Sequence, residues 1–495
     1  MTRICLLLVL LTAACAPLPP RGSDTGKALD TQATPPVRNV TGFSDALRCM
    51  DQLYLSYGVR DVSVVVEDIS DATKKVSAGA RDMTMSAISD MTRRSRAIQV
   101  ISFGQDANNI VAFLNNARDR SAFSVVPQYD LRGSVSQFDE GVVRRQADGG
   151  FSLSRLLGFG GSTSRQVNVL GLDLALADTV NLALVPGVVS KNVTTLIREG
   201  DALDAEATFS KVGVNFSTSF QRTDGTAQAL RNMIELASVE LFGRLLKLPY
   251  WTCIGVGGDN EEVRKEVEDW FIGMEHSGEL TAFFQEQLRN RGFFDGPADG
   301  RVTPALRQAV GAYRSALGMG SEGLVDLAFF ARFLEAPPPP RPAGAYRDVP
   351  ATAAAPLGLQ AQAGKAAYAP GEAMSFQLGT NAPAYAYCYA RDPKGIIQRI
   401  FPNRYRRDPS LRPGVPLVLP GDQPFQLSAP AAGQVEVACF AAPREIYNDV
   451  PAALKWGDFQ NLNKVASFDD IRRELEAVAG ERVAEARLAL RAEAP

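Results

Sequence analysis

The chain has 495 residues, enough for three or four domains, with 45 % apolar and 22 % charged content, as in ordinary folded protein. A net charge of −3 without a basic block argues against nucleic acid as a partner. The single histidine, His276, stands near the end of a helical pattern with no ligand-like or triad-like neighbours, so no metal, cofactor or Ser-His-Asp chemistry is expected.

Met-Thr-Arg leads into the apolar run Ile4 to Leu11 and then Thr12-Ala13-Ala14-Cys15. A short apolar core after a positive residue is a secretion signal rather than a membrane span. Small residues before Cys15 resemble the lipobox of bacterial lipoproteins, which implies cleavage after residue 14 and acylation of Cys15. Ala16 resembles the sorting position of lipoproteins sent to the outer membrane, and the alternative is a plain cleaved signal with Cys15 incidental. Residues 15–41, rich in Pro, Thr, Ser and Gly, read as a flexible tether. No later run of about 18 apolar residues predicts a helical span. Export implies an oxidising compartment, where Cys49, Cys253, Cys388 and Cys439 allow three pairings. Pairing within domains joins Cys49 to Cys253 and Cys388 to Cys439; free buried thiols are the alternative.

An α/β domain is expected over 42–256. Ala46, Leu47, Met50, Leu53 and Tyr54 repeat at helical spacing, Val62 to Val66 is a buried-type strand, and Met83, Ala87 and Met91 mark a second helix. Ala97 to Phe103 is a strand, Asp106 caps a third helix carrying Ile110, Val111 and Leu114, and Tyr129 to Phe138 is a further strand. The Gly-rich segment 139–166 is too long for a structureless loop and reads as a projecting hairpin, about 139–176, with a second hairpin at about 186–220 turning near Arg198 to Asp201. In Ala205 to Phe220 the residues alternate at period two, with Val212, Val214, Phe216 and Phe220 on one face. One apolar and one small or polar face fits a strand between lipid and a wet lumen, or an amphipathic strand of a soluble sheet. Thr226 to Leu248 is a long helix.

Val62-Ser-Val-Val-Val-Glu-Asp68, Leu131-Arg-Gly-Ser-Val135, Leu172-Asp-Leu-Ala-Leu176, Lys211-Val-Gly-Val-Asn-Phe216 and Ala227-Gln-Ala-Leu-Arg231 follow one another in an order that resembles the CsgG family of curli and holdfast export lipoproteins. The resemblance covers about 43–253. It implies a periplasmic α/β domain whose two hairpins join those of identical subunits in one oligomeric membrane β-barrel. It also implies a secreted adhesin or amyloid-like subunit as the cargo. The need for several chains has a physical basis: four strands cannot close a membrane barrel, and open edges cannot face lipid. The family's pore loop corresponds here to Asp71 to Arg81, which is short and has no aromatic residue.

A charged helix from Asp259 to Met274 links to a helical module, the two together spanning 257–335. Leu288-Arg-Asn-Arg-Gly-Phe-Phe-Asp-Gly-Pro-Ala-Asp-Gly300 resembles the motif of the three-helix peptidoglycan-binding domain, with Phe293, Phe294, Gly296, Asp299 and Gly300 as the candidate binding residues. Residues 336–356 are a Pro/Ala-rich linker. Short alternating runs over 357–455 predict a β-sandwich that resembles a β domain of unknown function on envelope proteins. There Tyr385, Tyr387 and Tyr389 share a strand face, read as core packing, and Arg399, Arg404, Arg406 and Arg407 cluster in what reads as a solvated loop. Phe468 to Ala492 is expected to close the chain, residues 456–495, as an amphipathic helix.

The resulting expectation is a non-enzymatic, lipid-anchored outer-membrane protein with periplasmic domains. It forms a homo-oligomeric secretion channel or assembly platform and holds peptidoglycan. The alternative is a non-channel scaffold linking the outer membrane to the wall. A wall hydrolase, raised only by the helical module's likeness, has no identifiable acid pair.

Overall fold

Ala46, Leu47, Met50 and Tyr54 form the buried stripe of α1, Ser44–Tyr57, which ends on Gly58 in a left-handed conformation (φ 67°). The computed structural model describes residues 42–76, 79–102, 126–146, 164–199, 204–211, 214–221, 225–340, 356–423, 425–451, 453–455 and 457–492; along 141–146, 164–167, 197–221 and at 225 it describes backbone alone. The expected signal, Cys15 and tether, and the helix expected after Asp106, lie outside the described residues. Three successive valines within β1, Val62–Val66, suit a strand covered on both faces. Then come β2, Ser70–Asp71, α2, Ala80–Met91, and β3, Ile98–Ser102. β3 pairs with β1 in parallel, Val64 opposite Val100.

The long strands follow: β4, Tyr129–Gln146, β5, Ser164–Asp178, β6, Leu184–Glu199, β7, Asp204–Lys211, and β8, Val214–Gln221. Together with β2, which pairs with β4, they complete an eight-stranded sheet in the order β3-β1-β4-β5-β6-β7-β8. It is parallel up to β4 and antiparallel beyond, and it is not closed into a barrel. Gly133, in the Leu131–Val135 run, lets β5 approach β4 closely: a Cβ there would lie 2.1 Å from the Asp173 carbonyl oxygen. α3, Gly225–Leu245, packs on β5 and β6 and is buried nearly all round, with Ala229, Leu230, Met233, Ile234, Ala237 and Leu241 in the core. The run expected as one strand, Ala205 to Phe220, is instead two strands, β7 and β8, that fold back on each other with Phe209 opposite Phe216. Period-two alternation is the same on both sides of a reversal, so the pattern alone hides it.

A 3-10 turn, Tyr250–Ile254, then leads to α4, Glu261–Ser277, α5, Glu279–Asn290, α6, Pro304–Ala316, and α7, Leu327–Glu335. Asn260, Thr303 and Asp326 each cap the helix that follows with a side-chain oxygen. Their core, with Trp270, Phe284, Phe329 and Phe333, is continuous with that of the α/β region, so residues 43–334 share one hydrophobic cluster.

The remaining strands are β9, Leu359–Ala363, β10, Ala373–Met374, β11, Phe376–Thr380, β12, Ala384–Arg391, β13, Ile397–Phe401, β14, Ser410–Leu411, β15, Leu417–Leu419, β16, Leu427–Ser428, and β17, Gln434–Ala442. α8, Phe468–Ala479, and β18, Ala484–Arg491, end the described chain. Ser467 and Asp470 form a capping box at the start of α8, and Gly480 ends it at φ 76°. The closing helix expected to reach Ala492 therefore stops at Ala479. Beyond it, Ala484, Ala486, Leu488 and Leu490 alternate, and β18 pairs with β17. The sheet β13-β12-β17-β18 is thus a middle layer: β9, β11 and β15 pack on one face, and α8 covers the other with Ile471 and Leu475. Tyr385, Tyr387 and Tyr389 are buried on the helix side, as core packing requires.

Candidate functional site

On β4 Phe138 is buried, Asp139 and Glu140 are exposed, and the backbone continues to Gln146. A register shift between Asp139 and Val143 takes up residues of β4, so this stretch runs beside only six steps of β5, from Leu170 to Ser164, roughly 20 Å at about 3.3 Å each, against the about 9–11 residues of a tilted membrane strand. β4 pairs with β5 up to Gln146 opposite Ser164, and β6 pairs with β7 from Thr194 opposite Phe209 to Arg198 opposite Ala205. Two antiparallel extensions therefore leave the same end of the sheet, their tips at 147–163 and 200–203 outside the described residues. Of the candidate membrane-facing residues, Val212 lies outside the described residues, while Val214, Phe216 and Phe220 fall on one face of β8 by alternation. β8 is an edge of the sheet, with backbone groups on its outer side that no described strand pairs.

Behind the extensions, β6 turns a polar stripe toward α3. Buried Glu240 accepts hydrogen bonds from the Ser190 hydroxyl at 2.6 Å and the Asn192 amide at 3.4 Å. One turn along α3, the Arg244 guanidinium pairs with Glu266 at 2.9 Å. These groups interrupt the apolar alternation of β6 and escaped the sequence reading. A Ser-x-Asn pair facing a helix Glu was the only signal available.

The loop matched to the family's pore loop turns on Asp71, whose carboxylate accepts from the Thr73 N–H at 2.9 Å and the Val76 N–H at 2.6 Å. Desolvation alone would raise its pKa, but these hydrogen bonds and that of the Thr73 hydroxyl outweigh it and hold the carboxyl below its usual value.

The peptidoglycan-like motif is brought together, but much of it serves the fold. Phe294 is buried, and the Phe293 ring stands edge-on to Tyr313 at 4.8 Å. Gly300 adopts φ 73°, which a side-chain-bearing residue rarely takes. Asp299 accepts from Gln285 at 3.0 Å and pairs with Arg412 of the β region at 2.6 Å. Beside the motif, Arg291 is buried with its guanidinium 3.8 Å over the Phe333 ring and bonds the Tyr313 hydroxyl.

The arginine cluster corrects the expectation of a solvated loop. Arg399 and Arg404 are buried. Arg399 makes a two-pronged pair with Asp61, at 2.7 and 3.1 Å, and Arg404 pairs with Asp458 at 2.7 Å. Arg404 also donates to Ser63 on β1 and to Gln99 on β3, and the Asp458 N–H reaches Asp61 at 3.2 Å. Arg406 is exposed and Arg407 half-buried, the latter's carbonyl accepting from Arg60. Towards the helices, Arg289 pairs with Asp408 at 2.8 Å, and the Tyr385 hydroxyl bonds the Asp295 carbonyl. The β region is therefore clasped to both the α/β sheet and the helices despite the polyproline stretch before it. Gly42–Pro495 forms one compact unit.

Cys49 on α1 is joined to Cys253 in the 3-10 turn, and Cys388 to Cys439 directly opposite it on β17. His276 lies exposed near the end of α4, its Nδ1 2.8 Å from the Ile272 carbonyl. Among the described residues no cluster of acidic, His or Cys side chains could hold a metal ion.

Comparison with known proteins adds a class for one part of this architecture. Residues 367–445, the heart of the β region, match a family described as a domain of unknown function, DUF4384. A solved structure from Xanthomonas campestris, described by the family name DUF330, is similar with a TM-score of 0.18 and 12 % identity over 40 % of this chain and 85 % of its own. No curated protein matches the chain.

Proposed function

We propose that this chain is an outer-membrane lipoprotein whose copies assemble in a ring, their paired strand extensions lining a secretion channel or assembly platform for extracellular fibre or adhesin subunits. The observation that carries the reading is the pair of antiparallel extensions leaving one end of an α/β sheet whose edge strands, β3 and β8, no other described strand pairs on their outer sides. Open edges at lipid depth are costly, and pairing with identical neighbours removes them. The lipobox-like run before Cys15 and the likeness to curli and holdfast export proteins support the same location, with peptidoglycan held by the helices of residues 279–335. The protein needs no cofactor and performs no catalysis.

Electron microscopy of the detergent-extracted protein is expected to reveal rings, and planar-bilayer recordings are expected to show conductance. Arginine at both Val214 and Phe216 should abolish membrane insertion, since Arg or Lys on the lipid face of a barrel costs about 2–4 kcal/mol at the midplane. A monomer that stays soluble once Cys15 is replaced, with no conductance, overturns the channel.

A second reading, a scaffold tying the outer membrane to the wall, is favoured by the clasp that makes residues 42–495 one unit, as a strut requires. It predicts that the Val214 and Phe216 variants are tolerated while binding to isolated sacculi persists.

A further inference from the structure

At its root β4 has two partners on the side away from β5: β1 along 129–131 and β2 along 134–135. Beyond Val135 no described strand lies on that side, while β5 stays paired on the other as far as Gln146 opposite Ser164. Across the sheet the register puts Phe138 level with Leu170, Thr194, Phe209 and Phe216. From Phe216 to Gln221, β8 therefore rises beside the extensions, paired with β7 and with no described strand on its outer side. At this level the sheet has two open edges, β4 and β8, each a row of backbone groups that another strand satisfies.

The strands between these edges alternate in direction. β5 is antiparallel to β4, β6 to β5, β7 to β6 and β8 to β7. From β4 to β8 there are five strands, an odd number, so β8 runs the same way as β4.

A foreign strand added to β8 leaves β4 open and brings a new edge of its own. A second copy sets its β4 against the first copy's β8 and keeps its own β8 for a third, a head-to-tail series that closes when the rotation permits. Rotation about the ring axis leaves the sense of every strand along that axis unchanged.

We infer that β8 of one copy pairs with β4 of the next, and that this seam is parallel. The inference rests on the ring proposed above and names the strands that join its subunits. Single-chain bacterial barrels are antiparallel with even strand numbers. Here the reversal between β7 and β8 makes the number per copy odd. Had Ala205 to Phe220 been one strand, four strands per copy would give an antiparallel seam. Barrel closure staggers neighbouring strands, so direction rather than register is the quantity to measure.

The test is disulfide cross-linking of the full-length protein in detergent. One cysteine is placed on β8, F216C or F220C, and one on β4, scanned over 136–146, with circular-dichroism melting as the check on folding. Within one copy β4 and β8 are four strand spacings apart, roughly 19 Å, too far for a disulfide, so linked species join different copies. In a parallel seam the β4 position that links best moves toward Gln146, by about four residues, when the β8 cysteine moves from 216 to 220. Its yield should exceed that of either single-cysteine protein at least tenfold. Movement toward Ser136 overturns the parallel seam, and so does a scan without cross-links in protein that electron microscopy shows as rings; both results leave the ring standing. A wild type that is monomeric throughout overturns seam and ring together.

Discussion

Asp61→Ala is expected to destabilise the protein by about 3–5 kcal/mol, because it strands a buried guanidinium. Arg399 is 0 % exposed in its side chain and Asp61 2 %. Asp61 stands just before β1 in a left-handed conformation, φ 57°, that aspartate tolerates better than most residues. Denaturant unfolding should show the loss. The double variant Asp61→Asn with Arg399→Met should recover part of it, since Asn keeps the left-handed backbone and the acceptor for the Asp458 N–H while no guanidinium is left unpaired. A single variant as stable as wild type would remove the clasp from the account of how the β region is held. The pH dependence has opposing parts. Burial would raise the Asp61 pKa, but the Arg399 charge and hydrogen bond, the Arg60 charge and the Asp458 N–H together outweigh it and hold the group below its ordinary value. Its share of stability is therefore present above the unfolded pKa and is lost as pH falls through the lower folded value. Asp458 is raised, first by burial and then by the Asp61 charge, so its share is present below the unfolded pKa and is lost as pH rises through the folded value. In Asp61→Asn the acid-side loss should shrink below about pH 4.

This clasp also marks where the sequence stopped being legible. Periodicity reveals a stripe such as Ala46, Leu47, Met50 and Tyr54 because the partners of one face repeat within a few residues. Caps are equally local, and Asn260, Thr303 and Asp326 fall where helices 4, 6 and 7 begin. The extension formed by β4 and β5 was visible because a Gly-rich segment too long for a loop had to be paired. Arg399 and Asp61, by contrast, are 338 residues apart, and composition records a charge without its partner. Four arginines near Tyr405 look like a surface loop until the sheet they cover is present. The Pro-rich stretch misled in the same way, since local stiffness says nothing about whether the next domain folds back. At the chain end, alternating Ala and Leu among Glu and Arg fits either a helix or a strand, and pairing with β17 decided it. In the helical module the motif was legible as residues but not as roles: Phe294 is core, and Asp299 holds Arg412.

Removal of the Cys49–Cys253 bridge is the other change expected to act strongly. The two half-cystines are 204 residues apart, against 51 for Cys388 and Cys439. In the loop-entropy account a longer closed loop restrains the unfolded chain more, so Cys49→Ser with Cys253→Ser should cost roughly 3–5 kcal/mol, and about 1 kcal/mol more than the equivalent pair at 388 and 439. Geometry favours the same order. Cys388 and Cys439 are already neighbours in the ladder between β12 and β17, so the ladder keeps them together when the bridge is gone. Cys49 and Cys253 tie α1 to the turn after α3, where packing around Tyr250 and Trp251 must hold the join alone. Differential scanning calorimetry of the two double-serine variants measures the order directly. Equal losses, or a larger loss at 388 and 439, would show that the first bridge merely decorates a join that packing already secures.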